Sequence, residues 1–404
     1  MNDLLRTLVV LVVVVFLLRR TMHLGLVMLI GAATLALLYL TPPLDFLAGA
    51  WVALASPNAL EMTATLIFTM IMENILRSTG TLKRMVESLS EVFPDARFIM
   101  ASMPAMIGML PSPGGAVFSA PMVSEAASRL SIPADQKAFV NYWYRHIWEY
   151  VSPLYPGIIL VAGLAHIPYQ KIVLANLPYA LSVVLWGCVF AFAGVGPTPA
   201  GSSTSVGRGK ALRMFLAAVS PIMAALVLVV VFRVNPVPVM GGVTVLMYLA
   251  HRYSPAAIVR SLRESISPKA MTLVFGIMIF QETLRLTGAL DGISRFFAES
   301  GLPAVLIITV IPFLAGVMTG LTVAFVGITF PILMPLMGGD APSLGLLSLA
   351  FGSGFTGVMI SPVHLCLVLT REYFGADMSR VYHRLWIPQA LVLAAAMVPV
   401  YIFQ

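Results

Sequence analysis

The 404-residue sequence carries one unit twice. A shift of 208 residues places Met70, Ile71, Leu76, Arg77, Thr79, Gly80 and Leu82 on Met278, Ile279, Leu284, Arg285, Thr287, Gly288 and Leu290, and carries Pro104 to Pro312 and Gly108 to Gly316. After a two-residue insertion Pro121 falls on Pro331, and a shift of 209 brings Ser152-Pro153 onto Ser361-Pro362. Apolar residues match by chance in any greasy chain. Proline, glycine and arginine kept in one register over about 90 residues are the mark of an internal repeat.

What the unit is made of follows from polarity. The chain is 59% hydrophobic and 10% charged, with a mean hydropathy of +0.95, against roughly 25% charged residues in soluble domains. That composition belongs to an all-α polytopic membrane protein. Apolar runs of spanning or near-spanning length fall at roughly 4–18, 22–40, 62–79, 139–165, 171–195, 212–232, 237–250, 269–290, 343–370 and 386–403. Two more, 98–130 and 302–338, are broken at their centres by Pro, Gly, Ser and Thr. The reading is ten spans and two re-entrant hairpins. A first repeat covers 1–195, a polar cytoplasmic linker 196–211 and a second repeat 212–404. Five crossings per half is an odd number, so the second copy enters the bilayer inverted.

The head of the chain resembles a signal peptide only superficially. Its apolar core runs into Arg19 and Arg20 without a small-residue cleavage site, so it reads as a first span that stays. Threading the spans leaves Arg6, Lys171, Arg233, Arg285 and Arg295 on one side and Arg145 within a span. The rest of the 24 basic residues gather on the other side, which is therefore cytoplasmic, with both termini outside in the inner membrane. A net charge of +7 spent on loops in this way is no sign of a nucleic-acid partner. Cys188 and Cys366 sit in apolar runs without CxxC spacing and read as core packing, with no disulfide or metal implied.

The first hairpin (98–130) turns at LPSPGG, Leu110 to Gly115, which cannot continue a helix. Broken backbone at membrane depth is tolerated where it is buried in protein or lines a cavity. The second hairpin (302–338) is expected to turn at Thr319 to Thr322, TGLT. Each half then carries a broken helix: 139–165 is interrupted by SPLYPG from Ser152 to Gly157, and 343–370 by GSGFTGVMISP from Gly352 to Pro362. Unwound carbonyls suit a cation, and half-helix N-termini suit an anion. The candidate substrate site is Ser112, Pro113, Gly114, Gly115, Arg145, Ser152, Thr319, Thr322, Thr356, Ser361 and His364. Hydroxyls of Ser112, Ser152, Thr319, Thr322, Ser353 and Thr356 are the candidate Na+ ligands.

Ionisable residues at depth mark pathways or pair with one another. Arg145, His146 and Glu149 lie in NYWYRHIWEYVSP just before the first break. Arg145 either forks onto a substrate carboxylate or pairs with Glu149 at i,i+4; His146 and Glu149 are the candidates for a coupling proton. The nearby Tyr142, Trp143, Tyr144, Trp148 and Tyr150 read as an interfacial belt. Glu73 with Arg77 and Glu282 with Arg285 read as structural pairs, and Tyr253 to Pro268 as an interfacial amphipathic helix.

Paired hairpins, paired broken helices and inverted five-span halves resemble the ion transporter superfamily, which includes divalent anion/sodium symporters and the large membrane subunit of tripartite carboxylate transporters. Within it the chain is most similar to the domain-of-unknown-function family 401. The symporters' Ser-Asn-Thr tips are replaced here by Pro111-Ser112-Pro113 and Thr319-Gly320-Leu321-Thr322. The resemblance implies an elevator-type transporter working as a homodimer. Three function classes follow: a carrier of a small organic anion such as a carboxylate, coupled to Na+ or H+ with no other cofactor; a monovalent cation/proton antiporter on Glu149 and His146; and an intramembrane enzyme. The last has no HExxH, GxSxG or His/Cys metal spacing behind it.

Overall fold

The computed structural model describes residues 3–20, 22–93, 95–111, 115–130, 132–196 and 207–403. Its regular elements are helices, and local chemistry fixes where many of them start. Proline opens Pro43–Ala55, Pro57–Ser78, Pro156–Ala165, Pro236–Ala250, Pro255–Ser265 and Pro268–Leu286, where its missing N–H costs nothing. Ser56, Asn235, Ser254, Ser267, Ser343 and Asp377 each accept a hydrogen bond from the first turn that follows them.

Four helices are long and apolar enough to cross a bilayer by length and composition: Pro57–Ser78, Tyr169–Phe190, Arg208–Val230 and Met378–Ile402, the last with a break in its helical bonding after Ala394. The chain is a multi-pass, all-helical membrane protein. The runs expected at 22–40 and 237–250 form only the 15-residue helices Leu24–Leu38 and Pro236–Ala250. At 1.5 Å per residue each reaches about 22 Å, short of a hydrocarbon core of about 30 Å. The last helix starts at Met378, before the expected 386, and the helix after the linker starts at Arg208, inside it. Residues 197–206 of the expected linker lie outside the described residues.

In each half a long helix (Pro57–Ser78; Pro268–Leu286) turns through a left-handed glycine, Gly80 at φ 69° and Gly288 at φ 68°. A short, strongly two-faced helix follows, Thr81–Val92 or Ala289–Glu299. The sequence reading has neither helix, because each is too short and polar to register as a span. A pair of antiparallel arms comes next: Ala96–Ile107 with Ala116–Ala126, and Ala304–Thr319 with Thr322–Leu333. Prolines sit inside all four arms, at Pro104, Pro121, Pro312 and Pro331. Then come Ala134–Arg145 and Pro156–Ala165 in the first half, and Leu344–Met359 and Leu365–Phe374 in the second.

The halves pack reciprocally. Leu24–Leu38 lies on Pro268–Leu286 while Pro236–Ala250 lies on Pro57–Ser78, and Ala116–Ala126 lies on Leu365–Phe374 while Thr322–Leu333 lies on Pro156–Ala165. The base of the first pair of arms is tied down by Arg97, which bonds Asp95 at 2.9 Å and the Val195 carbonyl at 3.2 Å. That hydrogen bond holds the Asp95 carboxyl below the usual carboxylate range.

The glycines of GSGFTGVMISP have another use than the one expected. Leu344–Met359 runs unbroken through Gly352, Gly354 and Gly357. A methyl on Gly357 would overlap the Phe313 carbonyl, and one on Gly316 the Gly354 carbonyl. The glycines bring two helix backbones into contact, so only Ile360–His364 is unwound. Glycine weakens a helix, but packing of this closeness repays it.

Candidate functional site

Two interruptions meet at the centre. In the first half the helix ends at Arg145, Ile147–Tyr150 form a single 3-10 turn, and Pro156 restarts the chain as the first residue of Pro156–Ala165. The break therefore starts at His146, earlier than the expected Ser152, and Pro156 and Gly157 belong to the helix that ends it. The residue just before each restarting half-helix sends its side chain to the apex of the hairpin in its own half. Tyr155 donates its hydroxyl to the Gly108 carbonyl at 2.5 Å, and His364 bonds the Gly320 carbonyl through Nδ1 at 2.7 Å. Gly320 itself is left-handed (φ 62°) and, with Leu321, makes the second turn.

Between the breaks lies a compact polar cluster. Arg145 is 3% exposed and reaches the Cys366 thiol. His146, 1% exposed, is held by a 2.6 Å bond from Nδ1 to the Tyr142 carbonyl, and its Nε2 stands 3.1 Å from Nε2 of His364. Glu149 faces His146 across 3.7 Å and accepts a hydrogen bond from the Thr322 hydroxyl at 3.1 Å. The i,i+4 pair of Arg145 with Glu149, one of the two alternatives for that arginine, is not among the described ion pairs, where Glu149 faces His146 instead. The helix stops between the two residues, and a four-residue spacing no longer puts them on one face. The pairs Glu73–Arg77 and Glu282–Arg285 sit on unbroken helix and do form.

The other expected site residues are placed as follows. Ser361 donates to the Val317 carbonyl at 2.7 Å, and Thr319 donates back to Ala315 at 2.8 Å. Ser152 accepts from the Leu154 N–H at 3.3 Å, and Thr356 accepts from Gln389 at 3.1 Å. Ser353 is fully buried, and its Oγ has no hydrogen-bond partner among the described residues. Gly115 precedes the second arm of the first hairpin, while Ser112, Pro113 and Gly114 lie outside the described residues.

The aromatic belt is a misreading. Tyr142, Trp143, Tyr144 and Tyr150 are buried, and Trp148 is partly so. Tyr142 donates to the Met359 carbonyl at 2.8 Å, Trp143 to Val183 at 2.9 Å and Trp148 to Ala105 at 2.9 Å. An amphipathic ring fits a membrane interface, but it fits equally well beside a broken helix that offers free carbonyls. Cys366 is the residue that sequence reasoning missed: it reads as one more apolar side chain, and only the fold brings it to the histidines. A separate cleft of 420 Å³, lined by Asn58, Glu61, His166, Arg233 and neighbours, lies at the far end of Pro156–Ala165 from the break.

A family model described as "Protein of unknown function (DUF401)" matches residues 3–403. No curated protein matches the chain in sequence. Among solved structures the fold is similar to that of the Alcanivorax borkumensis YdaH transporter, described as having an unusual topology. The TM-score is 0.56 at 13% identity, over 85% of this chain and 86% of that one. At that identity the likeness speaks to the fold alone.

Proposed function

The chain belongs to the DUF401 family, and from that premise we propose that it is a secondary active transporter moving a small organic anion, of the carboxylate class, in symport with Na+ or H+. One observation carries the reading: a buried arginine, two histidines and a glutamate gather where two helix breaks and a hairpin apex meet, inside an otherwise apolar bundle. Charge at such depth is costly and marks a pathway, and Arg145 offers the planar fork that suits a carboxylate. The hydroxyl of Ser353, without a hydrogen-bond partner among the described residues, adds a buried lone pair for a coupling cation. Likeness in fold to a transporter supports transport as the activity.

The reciprocal packing of the halves, and the matching bonds from Tyr155 and His364 to the hairpins of their own halves, support two inverted repeats. On this reading the hairpins and broken helices slide together as the elevator against a scaffold of the remaining long helices, in a homodimer in the inner membrane with both termini outside. The second reading is a monovalent cation/proton antiporter, favoured by Glu149 lying 3.7 Å from His146. Purified protein in liposomes on a supported membrane distinguishes them. Sodium- or proton-dependent currents with one carboxylate, abolished by Arg145→Gln, are expected of the symporter. Silence across a carboxylate panel, with cation exchange that survives Arg145→Gln, would establish the antiporter instead.

A further inference from the structure

The two histidines pose a problem of protons. Nδ1 of His146 faces the Tyr142 carbonyl at 2.6 Å, and Nδ1 of His364 faces the Gly320 carbonyl at 2.7 Å. A carbonyl oxygen only accepts, so each Nδ1 must carry the hydrogen. Both neutral imidazoles then present a bare lone pair at Nε2, and these lone pairs face each other across 3.1 Å. Two acceptors at that distance repel unless a cation lies between them. A single shared proton would suffice for the histidines, but it would leave the rest of the cluster unexplained. Cys366 Sγ lies within 4.8 Å of a ring nitrogen of each histidine, and Glu149 is 3.7 Å from His146 Nε2.

We propose that His146, His364 and Cys366 bind a thiophilic divalent metal ion of the zinc class at the junction of the two broken helices. The donors are two nitrogens and one sulfur, a set that zinc accepts in tetrahedral geometry with its fourth position left to water. At zinc–nitrogen lengths of 2.0–2.1 Å, two tetrahedral imidazole ligands stand about 3.3 Å apart, close to the 3.1 Å observed. The outer contacts also fit. Metal-bound histidines characteristically donate their second N–H to a carbonyl, as both do here, and Thr322 orients the Glu149 carboxylate by a 3.1 Å hydrogen bond. Cys366 is the second residue of Leu365–Phe374, at the positive end of that helix and beside Arg145.

The ion would join His146 from one half to His364 and Cys366 from the other, fastening the breaks to each other. The ion would sit on side chains that the proposed transporter also uses, but its binding is read by spectroscopy and elemental analysis rather than by transport, so failure of one experiment is distinguishable from failure of the other. The test uses the full chain in detergent, purified without a histidine tag or chelator, titrated with Co2+ and then with Zn2+. Expected are about one Co2+ per chain by elemental analysis, a thiolate-to-cobalt charge-transfer band with tetrahedral d–d bands, and displacement of both by Zn2+. Cys366→Ser, checked for folding by gel filtration and circular dichroism, should lose the charge-transfer band and bind about tenfold or more weakly, since even losing a group that only orients a ligand costs about tenfold or more. Zn2+ should raise the melting temperature of the wild type more than that of the variant. Absence of saturable Co2+ binding by the wild type, or a charge-transfer band unchanged in Cys366→Ser, would overturn the proposal.

Discussion

At the scale of single residues, the cluster shows what buried polar side chains do beside a helix break: besides meeting one another, they serve the carbonyls that the break leaves without a helical partner. Helix breaks free main-chain acceptors, and an unsatisfied buried acceptor costs about 1–3 kcal/mol. Tyr155 meets that demand with its one hydroxyl hydrogen, directed at the Gly108 carbonyl at 2.5 Å with the Leu110 carbonyl at 3.3 Å beside it. Tyr155→Phe keeps the ring and removes the donor. It should destabilise the protein by about 1–2 kcal/mol, read as a lower melting temperature in detergent, with faster amide exchange in residues 108–111 than elsewhere. Unchanged exchange there would mean that the hydroxyl does not hold the hairpin. His146, Glu149 and His364 were legible in the sequence because an ionisable residue in an apolar run stands out. Cys366 was not, because nothing distinguishes a ligand thiol from a packing thiol until a fold supplies neighbours.

At the scale of elements, glycine carries two meanings that sequence cannot separate. Gly316 and Gly357 let Ala304–Thr319 and Leu344–Met359 touch backbone to backbone. Gly357→Ala should therefore cost about 1–3 kcal/mol or more through overpacking, whereas Gly242→Ala, where an added methyl meets nothing within 4 Å, should be neutral or slightly stabilising. Thermal unfolding of the two variants separates the cases; equal stability would refute the packing role. Gly80 also has open space around it, but at φ 69° a side chain is strained. Gly80→Ala should cost about 1–2 kcal/mol without any clash. The apolar runs located most long helices within a few residues because burial in lipid demands continuous hydrophobicity. Thr81–Val92 and Ala289–Glu299 escaped because their apolar residues fall on one face only, and the supposed break at Gly352 failed because close packing uses the same residue as unwinding.

At the scale of the whole molecule, the proposed sliding of hairpins past scaffold has a direct test. A methyl on Gly327 of Thr322–Leu333 would overlap the Ile277 side chain of Pro268–Leu286. Cysteines at both positions, in a background lacking the exposed Cys188, are close enough to bridge. Oxidation should stop transport and a reductant should restore it; transport that continues with the bond formed would exclude relative motion at that seam. The two hairpins also differ in their seams. The first arm of the second meets its neighbouring helix backbone to backbone at Gly316, Gly354 and Gly357, whereas glycine brings the first arm of the first hairpin against the chain at the Arg145 carbonyl. The first hairpin is instead pinned at its two ends, at the base by Arg97 on the Val195 carbonyl and at the apex by Tyr155 on the Gly108 carbonyl. One arm is glued like a seam and the other is held like a strap by two buckles, so loosening a single buckle at Tyr155 frees far more of the first hairpin than any one glycine change frees of the second.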